Sequence, residues 1–137
     1  MTKRKDFKNF SWQIRVYWQD TDAAKIVYHP NYLNFAQQAR SEFMREFVCK
    51  ESDVLEKYGV LLVVRHAEVD YSASARLDDI IDVTVEVGKI GNSSMVLHQN
   101  ITRDGTLLAA VKITIVAMVP NGKAVRIPPQ LRQIFEG

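Results

Sequence analysis

The spacing of hydrophobic positions changes period along this chain, and each change marks an element. Residues 12–19 (Trp-Gln-Ile-Arg-Val-Tyr-Trp-Gln) mix β-branched and aromatic residues in partial alternation, which predicts a strand. Asp20 to Lys25 breaks the pattern. Pro30 suits the first turn of a helix, where its missing N–H is no loss. Tyr32, Phe35, Ala36, Ala39, Phe43 and Phe47 then recur at three- and four-residue spacing. They predict one long helix with a single apolar stripe, and Arg40, Glu42, Arg45 and Glu46 are assigned to its remaining surface. Residues 51–58 read as a short second helix, capped by Ser52 or Asp53 and stopped at Gly59. Beyond it the chain reads as strand over 60–72, 79–90, 94–104 and 106–119. Gly91-Asn92 and Asp104-Gly105 sit between apolar alternations and predict hairpins. Pro120-Asn121-Gly122 closes the last strand, and Leu131 to Phe135 form a short amphipathic tail after Pro128-Pro129.

One strand, one long helix and four further strands give an α+β order. Hairpins between the later strands rule out a parallel sheet with a helical crossover. The expected solution is a five-stranded antiparallel sheet curling round one central helix. Such a sheet leaves an open edge, which pairing with a second copy would cover. The 137 residues make one domain, 1–137, with residues 1–10 expected as a flexible tail.

Composition narrows the function classes. A 47% hydrophobic and 25% charged chain is ordinary for a soluble globular protein, and a net charge of +2 gives no case for nucleic acid. The basic start Met-Thr-Lys-Arg-Lys is followed by no apolar signal region, and no later run is long and apolar enough to cross a membrane. Cys49 is the single cysteine, so neither a disulfide framework nor a cysteine metal site is expected, and a cytoplasmic location is the simplest reading. His66, Glu68 and Asp70 share a strand face at a spacing of two, which suits zinc but is commoner as solvent-facing polarity; no metal and no cofactor is expected. Walker-type, nucleophile-elbow and dinucleotide-binding motifs are missing, which leaves phosphoryl transfer, serine hydrolysis and nicotinamide chemistry without support.

Residues 17–32 concentrate the candidate chemistry. A loop offers the carboxylates Asp20 and Asp22, and a helix start at His29–Pro30 offers backbone N–H groups without intrahelical partners. A carboxylate beside such an end is the minimal equipment for acyl transfer: one group attacks or activates water, and the other holds the developing oxyanion.

Asp-Thr-Asp, the Ile26-Val-Tyr-His-Pro-Asn-Tyr32 run and the amphipathic helix after it resemble the hotdog-fold acyl-CoA thioesterases, in particular the YbgC and 4-hydroxybenzoyl-CoA thioesterase groups. The likeness continues at Val63-Val64-Arg65 and at Ala75-Arg76-Leu77-Asp78-Asp79. It implies a hotdog fold, a homo-oligomer (dimer or tetramer) with its sites at the dimer interface, and an acyl-CoA substrate. It implies Asp22 and the His29 amide or imidazole as catalytic groups. Tyr28, Lys25 and Arg76 are the implied substrate contacts, with Arg65, Lys89 and Arg126 as further cations for coenzyme A phosphates. Asp20 is expected to bond loop amides. Lys25 stands where the family usually carries glycine, and Trp18 where tyrosine is typical. The Lys25 departure keeps a second reading open: a non-catalytic scaffold binding acyl-CoA or an acyl-carrier protein, linked to the Tol–Pal envelope system.

Overall fold

The computed structural model describes residues 7–137. Its elements are β1 (Ser11–Arg15), α1 (Asn31–Phe47), α2 (Val54–Tyr58), β2 (Leu61–Tyr71), β3 (Ile80–Thr84), β4 (Glu86–Ile90), β5 (Ser94–Arg103), β6 (Thr106–Met118) and α3 (Pro129–Glu136). Single 3-10 turns cover Phe7–Asn9, Trp18–Asp20 and Glu51–Asp53. All pairings are antiparallel, and the strands run in the order β1-β3-β5-β6-β2, with β4 also on β5.

The order explains the helix. β1 lies at one edge of the sheet and β2 at the other, so the chain between them must cross a face of the sheet, and α1 makes that crossing. Its apolar stripe supplies Tyr32, Phe35, Ala36, Ala39 and Phe43 to the core, where they meet inward residues such as Ile81, Val83, Leu97 and Ile113. Burying each of the two phenylalanines contributes about 2–3 kcal/mol. This is the α+β architecture that the periodicity implies.

The expected strand over 79–90 divides into β3 and β4 at Val85 without losing register. Asp82 faces Thr102 and Glu86 faces His98, four residues on along each strand, and the register shifts only between Val87 and Ile90. Five strand positions therefore appear as six segments. The run at 12–19 ends as strand at Arg15, because Trp18–Asp20 tightens into a 3-10 turn. Asp104 (φ 50°) and Gly105 (φ 81°) both take left-handed angles, which makes the two-residue turn joining β5 to β6.

Two expectations need correction. Residues 1–6 of the expected flexible tail lie outside the described residues, but Phe7 and Phe10 are packed: the Phe7 ring lies 5.2 Å from Phe43 and 5.3 Å from Phe47, and Phe10 is buried. Aromatic area of that size is too costly to leave in water. Arg40, assigned to the helix surface by its charge, is buried. It stands eight residues after Tyr32, just over two turns, and so on the same face.

Candidate active site

The segment 20–29 is a loop held at both ends by backbone pairing. Thr21 bridges Val27 and Ile26 bridges Arg76. The Asp22 N–H donates to the Ile26 carbonyl at 3.0 Å, and the Lys25 N–H to the Asp22 carbonyl at 3.0 Å. On the other side the Val27 N–H donates to the Ala75 carbonyl at 2.9 Å and the Leu77 N–H to the Lys25 carbonyl at 3.0 Å. The loop carrying Asp22 is thus stitched to residues 75–77.

Asp20 organises this loop. Its Oδ2 accepts the Tyr17 N–H at 2.9 Å, while its carbonyl accepts the Tyr28 N–H at 3.0 Å and the Asn31 Nδ2 at 2.9 Å. Asp22 differs. Its Oδ1 accepts the Ala24 N–H at 2.8 Å, a turn bond that fixes the side chain. Its Oδ2 has no hydrogen-bond partner among the described residues, and the residue lines a cleft of about 320 Å³.

The opposite wall of that cleft is the start of α1. Here the sequence expectation of several free amides narrows to one. The Asn31 N–H bonds the Tyr28 carbonyl (2.8 Å), the Tyr32 N–H the His29 carbonyl (3.3 Å) and the Leu33 N–H the Pro30 carbonyl (3.1 Å), while Pro30 has no N–H to give. The His29 N–H alone among these has no partner among the described residues. It sits at the positive end of a 17-residue helix. The cleft therefore brings together a carboxylate oxygen and a backbone donor, each uncommitted.

The exposed His29 ring lies between two tyrosines: 5.2 Å from Tyr28 and 6.0 Å from Tyr71, the latter nearly perpendicular at 89°. The Tyr71 hydroxyl donates to the His29 carbonyl at 3.2 Å. Tyr32, behind them, accepts the buried Ala75 N–H at 2.9 Å on its hydroxyl, and burial raises that hydroxyl's pKa. Sequence reasoning placed Tyr32 in the core stripe and Tyr71 in a strand; neither was identified as lining the site. Tyr71 ends β2 next to Ser72-Ala73-Ser74, which also face the cleft, and that switch from strand to small residues was the available signal.

Lys25 and Arg76 are exposed and lie outside the cleft lining, on the two bridged segments beside it. Lys25 takes a left-handed backbone (φ 64°), so it reproduces the conformation a glycine would supply. It forms no ion pair with Asp22; the ion pairs among the described residues are Arg45–Glu42, His66–Glu68 and Arg103–Asp79. His66 and Glu68 meet at 3.0 Å on the exposed edge strand.

A family model described as the thioesterase-like superfamily matches residues 16–135. The chain is 34% identical over 128 residues to the acyl-CoA thioesterase YbgC of Haemophilus influenzae, covering 92% of this chain and 93% of that protein. Among solved structures, a probable thioesterase from Bartonella henselae superposes with a TM-score of 0.83 at 28% identity, covering 88% of this chain and 99% of the other. The 4-hydroxybenzoyl-CoA thioesterase of Pseudomonas sp. strain CBS-3 superposes with a TM-score of 0.85 over 93% of this chain and 99% of its own, and at 17% identity that likeness concerns the hotdog fold. With the matched span taking in the loop, the central helix and every later strand, the chain belongs to the thioesterase-like superfamily.

Proposed function

We propose that this protein hydrolyses an acyl-CoA thioester to a carboxylic acid and coenzyme A, with Asp22 as the reacting carboxylate and the His29 N–H as the oxyanion donor. The observation that carries the reading is the pairing in one cleft of a free Asp22 Oδ2 with a free backbone donor at a helix start. The carboxylate attacks the thioester carbonyl or takes a proton from the water that does. Charge growing on the carbonyl oxygen meets the His29 N–H, strengthened by the helix dipole. The Ala24 bond to Oδ1 holds the carboxylate still, which limits the reorganisation needed on reaching the transition state.

His29 lines the cleft, with the Tyr28 ring against its imidazole just outside the lining, and Lys25 with Arg76 offer cations beside it for the phosphates of coenzyme A. No helix among the described residues is long and apolar enough to cross a membrane, and the proposal places the protein in the cytoplasm on its lone cysteine. β2 pairs β6 on one side only, and its open edge exposes Leu61, Val64 and Tyr71; a second copy pairing there is the proposed homodimer. A tetramer rests on the family resemblance alone. Because Lys25 preserves the loop's backbone, its presence gives no support to the non-catalytic scaffold for acyl-CoA or acyl-carrier protein. Thiol release from a panel of short, long and aromatic acyl-CoAs tests the proposal: turnover of at least one class is expected, and a folded protein that turns over none would refute it.

A further inference from the structure

A cavity of about 120 Å³ lies between the C-terminal half of α1, α2 and the first residues of β2. Its wall is mostly apolar, with Met44, Val54, Leu62 and Leu97 among its residues. One buried charge borders it: Arg40, 7% exposed. Arg40 Nη1 donates to Gln99 Oε1 at 2.9 Å and Nη2 to Gln37 Oε1 at 2.7 Å. Gln99, itself 0% exposed, passes its amide on to the Ala36 carbonyl at 2.9 Å.

Both partners are neutral. Arg40 takes part in none of the ion pairs among the described residues, and Glu51 at the cavity edge acts on it only at longer range. A buried cation without a counter-ion is unfavourable, and burial depresses the pKa of this guanidinium accordingly. Tying α1 to β5 needs hydrogen-bond donors, which a neutral side chain also provides. The charge exceeds what that cross-link requires, and only two of the five guanidinium N–H groups are used by it.

The cavity's position connects it with catalysis. It lies at the Leu61 end of β2, whereas the Asp22 cleft lies at the Tyr71 end. Antiparallel pairing of β2 with its counterpart in a second copy sets opposite ends side by side, so one protomer's cleft would adjoin its partner's cavity. A water-sized group takes ~30 Å³, so the cavity admits only a short chain.

We propose that this cavity receives the acyl group and that Arg40 recognises a carboxylate at its far end, making short ω-carboxyacyl thioesters the preferred substrates. This rests on the thioesterase reading of the Asp22 cleft. An apolar wall takes the methylene chain, and the substrate carboxylate supplies the guanidinium's missing counter-ion by a charge-assisted bond.

The test compares glutaryl-CoA with valeryl-CoA and adipyl-CoA with hexanoyl-CoA, each pair equal in chain length. Wild type is expected to favour the carboxylated member by about 10- to 100-fold in kcat/KM. Gln37→Glu keeps the shape of the side chain and gives Arg40 an internal counter-ion, so the ratio should fall towards one or below. A wild-type ratio at or below one, or a ratio unchanged in Gln37→Glu, overturns the inference while leaving hydrolysis itself intact. If no thioester at all is turned over, the thioesterase reading fails, and melting with glutarate against valerate decides the cavity. A rise with glutarate that Gln37→Glu loses supports the carboxylate site; equal responses overturn it.

Discussion

Tyr32→Phe probes how the cleft is held in shape. The Tyr32 hydroxyl is the acceptor for the Ala75 N–H at 2.9 Å, and Ala75 is fully buried. Replacing the hydroxyl with hydrogen leaves that donor without a partner in a dry environment, a penalty of ~1–3 kcal/mol. The variant no longer has to bury a phenol oxygen, which offsets part of this, so a net loss of about 2 kcal/mol is expected. For a chain of 137 residues this corresponds to a melting temperature lowered by roughly 6–8 °C. Ala75 also accepts from Val27, and its neighbours Arg76 and Leu77 bridge the Asp22 loop, so the loosened segment should lower kcat/KM as well. Urea denaturation and thermal melting of wild type and variant at the same pH give the stability, and thiol release gives the activity. A stability change within ~0.5 kcal/mol, about the error of such measurements, would show that the hydroxyl does not anchor residues 75–77.

Two further perturbations follow from the same loops. Burial on its own raises the pKa of the Asp79 carboxyl, but the Arg103 guanidinium and the Arg76 N–H (2.8 Å) hold it below its ordinary value. A depressed folded pKa stabilises above the unfolded value near ~4 and is lost as pH falls through the folded one, so Asp79→Asn should destabilise at pH ~7 and lose that deficit at pH ~3; a deficit independent of pH in urea titrations would contradict this. Lys25→Gly removes a left-handed non-glycine residue, worth ~1–2 kcal/mol, against ~0.5–1 kcal/mol of extra backbone entropy, so stability should rise by about 0.5 kcal/mol. If Lys25 meets the coenzyme A phosphates, KM for acyl-CoA rises several-fold in that variant; lowered stability would argue against the strained-loop account.

Much of the fold was legible because its elements differ in period. The stripe from Tyr32 to Phe47 gave α1, and the turn pairs at Gly91-Asn92 and Asp104-Gly105 gave the hairpins. Arg40 was misplaced because its charge was weighed above its position, although eight residues from Tyr32 set it on the buried face. Phe7 and Phe10 were hidden by the basic residues around them, since two aromatics without a period give no local signal. At the site, the loop acids and the helix start were visible in sequence. What was not visible is which amides other carbonyls already occupy, because that depends on the 3-10 turns over Tyr28 to Leu33. Nor could sequence show that Tyr32 and Tyr71, 39 residues apart, meet edge-to-face at 5.5 Å in the cleft wall.

The central claim is that Asp22 is the reacting carboxylate, and thiol release by wild type and Asp22→Asn, on whichever acyl-CoA the wild type turns over, tests it most directly. Asparagine retains an oxygen to accept the Ala24 N–H, so the loop should stay folded and the melting temperature should change little. The account predicts that kcat falls by at least ~100-fold. A variant that folds normally and keeps wild-type kcat would contradict it and move the chemistry away from this loop.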